Sequence, residues 1–313
     1  MFAVTRYRLP LVRPLRLAKG RVLDVREGVL LHDLQSGGWG DAAPLPGFSP
    51  ETVEDVMQAV NAGAWTGSGL PSLEWALDCA RRSPQLPTSA VRVNSLWFPA
   101  QESPEAFCQR LCGDMQPVVK VKVGPAPDFQ ALRALLQRVP GVKLRVDANR
   151  RWDLETALTC FREIPAANLA YLEEPLADPA EYEALWARSP VPVALDETLL
   201  TAEWRSYAKN KNVVALVLKP TLIGGQDRLD PYLKFAGTEA KQLVWSSCFE
   251  SGVGLWHLAR LAAERAGDVA HGLDTGGVFA TDLVTPRPLP SSANGRLPGP
   301  GGCFAVDEEA VRG

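Results

Sequence analysis

In this chain of 313 residues, charged side chains stand where apolar strands should end. Short β-branched runs finish with Lys120 and Lys122 (VVKVKVG), Asp147 and Asn149 (VKLRVDAN), Glu173 and Glu174 (LAYLEEP), and Asp196 and Glu197 (VPVALDET). Two further runs finish with Lys219 (VVALVLKPT) and with Ser246, Ser247 and Glu250 (KQLVWSSCFES). A buried parallel strand should be a nearly continuous apolar run, so each polar ending is costly. Asp147, Glu173 and Asp196 belong to three successive runs, and their carboxylates can converge. Clustered carboxylates repel one another unless a cation lies between them. Oxygen ligands without His or Cys point to Mg²⁺ or Mn²⁺. The competing arrangement is an ion-pair network with Lys120, Lys122, Lys219 and Arg145.

Lys122 and Lys219 lie on either side of the acids and can approach one substrate from opposite faces. Lys120 shares the side-chain direction of Lys122, being two residues away on a strand. One ammonium beside another favours the neutral form of one of them. The chemistry that fits is removal of a proton next to a substrate carboxylate. A lysine takes the proton, a divalent metal offsets the developing charge, and a second ammonium stabilises it further.

Such residues need a frame that brings strand ends together. The runs alternate with amphipathic stretches at Phe129–Arg138, Leu154–Ile164 and Pro179–Ala187. Strand ends recur at roughly 23–28 residues, the rhythm of a (β/α) barrel whose C-terminal strand ends form the mouth. No Gly-rich turn follows the first run, which argues against a doubly wound sheet. Residues 1–90 read as a separate unit with strands in Val22–Leu34, a Pro/Gly-rich turn at Pro44–Ser49, a helix opening at Ser49-Pro50-Glu51-Thr52, and a helix over Leu73–Arg82. The barrel is expected over 91–280. A Pro- and Gly-rich tail, 281–313, is expected to return to the first unit.

A net charge of −3 gives no pull toward nucleic acid or an anionic membrane. No apolar run is long enough to span a bilayer, and MFAVTRYRLPLVRPLRL lacks the apolar core and cleavage site of a signal peptide. A cytoplasmic enzyme, monomeric or a small homo-oligomer, acting on a small-molecule carboxylate is expected. The six cysteines form no CxxC pair, and Cys108 with Cys112 finds no nearby histidine, so zinc is not expected. Trp39, Trp152 and Trp245 read as core or wall, His257 and His271 as packed polar residues, and Glu174 and Glu197 as groups standing behind the ligands.

KVKVG, RVDANRRW, LEEP, DET and KPTLIGG, in that order and spacing, resemble the enolase superfamily in its muconate-lactonizing subgroup. Within it, GWGDAAPLPGFSPET (38–52), LRVDANRRW (144–152), LKPTLIGG (218–225), SSCFESGVGLWHLARLAA (246–263) and GLDT (272–275) are similar to the proteobacterial o-succinylbenzoate synthase family. The resemblance implies an α/β fold, a modified (β/α)7β TIM-like barrel with an α+β capping domain. It also implies syn dehydration of 2-succinyl-6-hydroxy-2,4-cyclohexadiene-1-carboxylate in menaquinone biosynthesis. By this resemblance Asp147, Glu173 and Asp196 bind the metal, Lys122 is the base and Lys219 stabilises the enediolate. Arg145 and Asn149, with Lys120 nearby, support them. Ser247, Cys248, Glu250 and Ser251 line the succinyl pocket, and lid loops at Leu17–Arg26 and Gly47-Phe48-Ser49 close over the ring.

Relatives on this scaffold racemise N-acylamino acids or epimerise dipeptides with the same proton abstraction. Leu273-Asp274-Thr275-Gly276 lacks the Asp-x-Asp pair expected of dipeptide epimerases, while N-acylamino acid racemisation stays as the alternative. A non-catalytic carboxylate-binding barrel is the alternative of another class.

Overall fold

The computed structural model describes residues 1–17, 21–111, 117–265, 268–290, 295–299 and 301–307. Two long antiparallel strands, β1 (Phe2–Arg16) and β2 (Val22–Asp33), pair with the short β3 (Trp39–Ala42). Helices α1 (Val53–Asn61) and α2 (Pro71–Ala80) cover one face of this sheet. Val29, Leu31 and Ala42 meet Val53, Val56, Leu73 and Leu77 in a separate small core. The expected helix start at Ser49 moves to Val53. Thr52 caps α1, accepting from the Asp55 amide while Asp55 accepts from the Thr52 amide. Ser49 instead accepts from the Leu45 amide and closes the Pro/Gly-rich turn. Glu51 accepts from the Ser72 amide in the first turn of α2.

β4 (Val91–Arg92) leads into a sheet in which β5 (Ser95–Trp97), β6 (Val118–Lys122), β7 (Lys143–Asp147), β8 (Leu169–Glu173), β9 (Val193–Leu195), β10 (Val213–Leu218) and β11 (Gln242–Trp245) lie side by side in chain order, all parallel. α3 (Pro104–Arg110), α4 (Phe129–Arg138), α5 (Leu154–Glu163), α6 (Tyr182–Arg188) and α7 (Trp204–Ala208) make the crossovers between successive strands, and α8 (Pro220–Ile223) with α9 (Gln226–Thr238) makes the last. Side-chain caps Ser103, Asp128 and Asp153 open α3, α4 and α5. α10 (Gly252–Arg265) follows β11. The segment 270–272 then closes the circle: Gly272 bridges Ser246 beside β11 and His271 bridges Val93 beside β5.

Strand alternation decides what each residue does. Outward residues such as Val119, Val121, Val146, Leu172, Leu195 and Leu216 join Leu132, Leu135, Leu158 and Leu185 of the helices in the main core. Inward, Tyr171, Ala194, Ala215, Val217 and Val244 fill the barrel below its mouth. Polar ends of the same inward rows reach the mouth. Past the barrel, β12 (Val284–Thr285) pairs with β14 (Ala305–Val306), and β13 (Arg296–Leu297) pairs with β4. Residues 301–304 run along 84–87. No helix among the described residues is long and apolar enough to cross a membrane.

Candidate active site

The register of the parallel sheet sets Lys122, Asp147 and Glu173 level on β6, β7 and β8. Glu173 stands level with Ala194, so Asp196 projects two residues beyond it from the end of β9. Lys219 follows β10 at the start of α8, on the far side of the three acids from Lys122. Asp147, Glu173 and Asp196 are buried.

Each carboxylate meets a lysine. Lys122 Nζ donates to Asp147 Oδ2 at 2.5 Å and to Asn149 Oδ1 at 3.2 Å. Lys120 Nζ lies 2.5 Å from Glu173 Oε1 and 2.9 Å from Asp147 Oδ2, bridging two of the acids. Lys219 donates to Asp196. Burial alone would lower the Lys120 pKa, but the charges of Asp147 and Glu173 outweigh it and hold Lys120 protonated. Of the two neighbouring lysines, Lys120 is thus the one held charged by the acids. Burial would likewise raise Asp147, yet Lys120 and Lys122 pull it well below the usual carboxylate range. Burial, then the charge of Asp147, pushes Glu173 up to about 7.

Among the described residues no three His, Cys, Asp or Glu side chains gather as a ready-made metal cage, since each acid is turned toward an ammonium group. The donor set nevertheless fits a hard divalent cation. Three buried carboxylates project from neighbouring strand ends with no histidine or cysteine among them, the oxygen-only donor set that Mg²⁺ or Mn²⁺ takes.

Behind these groups the backbone is strained. Asn149, Arg150, Glu174 and Phe249, non-glycine residues just past β7, β8 and β11, adopt positive φ values of 47°, 56°, 41° and 59°. The turn at Asn149 lets its amide donate to Asp147 Oδ1, its Oδ1 accept from Lys122 and its Nδ2 donate to Glu197 Oε1 at 3.1 Å. Glu174 turns away from the mouth and accepts from the amides of Asp196 and Thr198 and from the Thr198 hydroxyl, bracing the Asp196 turn. Burial, with the charge of Glu197 next, raises Glu174 to about 8.

A cavity of about 260 Å³ opens above the lysines. Lys120, Lys122, Lys219, Asn149, Ser246 and Ser247 line its polar side, while Leu15, Leu17, Leu45, Phe48, Leu96 and Phe249 line its apolar side. Several expectations change here. Cys248 packs against Leu45 and Leu222. Glu250 turns inward to accept from Thr221 and the Cys248 amide, and Ser251 donates to Asp41 of the first unit. None of the three lines the cavity, nor do Gly47 and Ser49, because Ser49 is spent on its own turn. Arg145 does not reach Lys122. It donates to Asn94 Oδ1 and the Ala270 carbonyl, one layer deeper, and lies over the Tyr171 ring. Residues 18–20 of the expected lid and Cys112 lie outside the described residues. His257 and His271 are buried away from the cavity, and burial lowers both to about 3.

Asp274 of the GLDT motif also lines the cavity, as do Arg16, Asn94 and Arg151, which carried no signal as strand endings. Arg151 could have been suspected from its place just beyond Asn149. Arg16 belongs to β1, more than a hundred residues from the chemistry, and nothing local marks it. Neither guanidinium has a carboxylate partner among the described residues.

The family model for the enolase C-terminal domain-like fold matches residues 106–310, and that for the MenC N-terminal domain matches residues 1–83. An o-succinylbenzoate synthase of Klebsiella pneumoniae is 32% identical over 304 residues, covering 91% of this chain and 94% of its own. One of Vibrio cholerae is 34% identical, covering 98% and 96%. The crystal structure of o-succinylbenzoate synthase from Thermosynechococcus elongatus, complexed with Mg in the active site, superposes with a TM-score of 0.69 at 27% identity, covering 90% of this chain and 94% of that one.

Proposed function

The chain belongs to the o-succinylbenzoate synthase family of the enolase superfamily, and from that premise we propose how its own residues perform the dehydration. The family is one of carbon–oxygen lyases in menaquinone biosynthesis, and its reaction depends on a divalent metal. Asp147, Glu173 and Asp196 would hold Mg²⁺, with Mn²⁺ as the alternative. Bound there, it would supply Lewis-acid stabilisation of the carboxylate beside the proton to be removed.

Lys122, in its neutral form, takes the α proton of 2-succinyl-6-hydroxy-2,4-cyclohexadiene-1-carboxylate, and the C–H electrons pass into the enediolate. Lys219 keeps its proton and faces the developing charge from the opposite side. The enediolate then expels the ring hydroxyl, which takes the proton from the Lys122 ammonium and leaves as water. Using one residue as base and then acid makes the elimination syn. Asn149 holds the Lys122 amine at its working position through the 3.2 Å contact. Arg16 and Arg151, without carboxylate partners, face the second carboxylate, the one on the succinyl arm. The placement of Lys122 and Lys219 across one cavity, with the three acids between them, carries this reading.

The test is an ultraviolet assay with the cyclohexadiene substrate. Loss of the diene absorbance, with o-succinylbenzoate formed, is expected with Mg²⁺ and not with EDTA. Substrate left unchanged under both conditions would falsify the reading.

A further inference from the structure

The first unit sends one fully buried cation into the junction with the barrel. Arg26, on β2, is 1% exposed and has no salt-bridge partner among the described residues; its guanidinium is spent on carbonyls. Nε donates to Phe249 O at 3.0 Å, and one terminal nitrogen donates to Glu27 O and Pro44 O, both at 2.8 Å. The other donates to Ala43 O and reaches Cys248 O at 3.4 Å. Five carbonyl acceptors from three segments are collected by one planar group. A lysine, with three donors at one point, cannot reproduce this fan. Burying a guanidinium without a bonded anion is costly, so its retention calls for a role.

What Arg26 grips is the cavity wall. Ala43 and Pro44 lead directly into Leu45 and Phe48, which line one side. Cys248 and Phe249 belong to the turn that supplies Ser247 and Phe249 on the other. Phe249 holds a φ of 59°, which is unfavourable for a bulky side chain. Its carbonyl faces Arg26 while its ring faces the cavity. We propose that Arg26 is a positioning residue that clamps the two loops together, fixing the gap between Phe48 and Phe249 and with it the fit of the substrate's acyl arm. The clamp takes no part in the proton transfers at Lys122. This inference rests on the function proposed above.

The test compares Arg26→Lys with Tyr7→Phe. The second variant removes a hydroxyl that donates to Asp41 at 2.9 Å in the same junction but touches neither loop. For Arg26→Lys the expected result is a rise in KM of about tenfold with kcat within about threefold and unchanged Mg²⁺ activation. Tyr7→Phe should lower the melting temperature without raising KM. In a Phe249→Gly background, where the wall side chain is already gone, Arg26→Lys should add little to KM. If Arg26→Lys does not fold, Arg26→Gln replaces it, and failure of both places Arg26 in the scaffold alone and overturns the proposal. Equal KM changes in the Arg26 and Tyr7 variants, or an unchanged KM in Arg26→Lys, also overturn it. A wild-type protein that neither turns over the diene nor binds o-succinylbenzoate marks instead the failure of the functional reading.

Discussion

The mouth of the barrel and the junction with the first unit both bury charge, but they solve the problem differently. At the mouth, Lys120, Lys122 and Lys219 face Asp147, Glu173 and Asp196 across neighbouring strands, and each charge meets its opposite. At the junction, Arg26 is satisfied by carbonyls, and Asp41 by the Tyr7 hydroxyl with the amide and hydroxyl of Ser251. Strands fix the first set by register, whereas turns from both units assemble the second. The difference separates chemistry from fit. Ion pairs at strand ends can exchange partners when a cation and a dianion arrive, but a guanidinium locked onto carbonyls has no such alternative and serves as a fixed strut.

Removing the metal should strike the mouth alone. We expect EDTA to abolish turnover while the melting temperature stays within a few degrees, because the junction makes no use of the three acids. Unfolding on chelation, followed by circular dichroism, would erase the distinction between the two regions.

Lys219→Arg sharpens the division of labour within the mouth. Dehydration needs Lys122 to move the proton, whereas racemisation of an N-succinylamino acid needs a proton transfer at each lysine. The variant should slow interconversion of the two enantiomers, read by polarimetry, by about a hundredfold or more, and dehydration by at least ten times less. Equal losses would count against the assignment of a purely electrostatic role to Lys219.

Arg151→Gln tests the rim between the two regions. Loss of one charge-assisted contact at an exposed position should raise KM by about tenfold with little change in kcat. An analogue lacking the succinyl carboxylate should not distinguish the variant from the wild type. If the analogue shows the same rise, Arg151 is not reading that carboxylate.

The last effect is on stability. His257 Nε2 meets the Trp39 carbonyl at 2.7 Å across the junction, and His271 Nδ1 accepts from the Trp245 amide where the barrel closes. Burial lowers both pKa values from 6.5 to about 3. The unfolded chain takes up these protons below its own pKa while the folded chain does not. The stability each contributes is therefore whole above pH 6.5 and is lost as pH falls toward 3, about 2 kcal/mol per histidine at pH 5. Urea midpoints at pH 7 and pH 5 should show the drop, and His257→Gln should reduce it. A midpoint that does not fall on acidification would contradict the burial argument.

The chemistry was legible in the chain because inward residues repeat every second position on a strand. Lys120 with Lys122, and Arg145 with Asp147, therefore declare a common face, and polar residues at the ends of apolar runs mark the mouth. α4 spans Phe129–Arg138 just as its amphipathic pattern predicts. The pocket wall was not legible in the same way. Ser247 lines the cavity but Cys248, Glu250 and Ser251 do not, because the left-handed turn at Phe249 redirects the chain and Asp41 and Thr221 draw the next side chains inward. Arg145 was placed on the correct face but one layer too high, since sequence gives the parity of a strand residue and not its depth. Arg26 acquires its place partly through contacts that span most of the chain, at Cys248 and Phe249.

The most direct test of the central assignment is the turnover of Lys122→Ala with saturating Mg²⁺, alongside its affinity for o-succinylbenzoate. Loss of a positioned base predicts a fall in kcat of about 10³-fold with product binding retained within a few-fold. Turnover within tenfold of the wild type would show that another group removes the proton and would contradict the account.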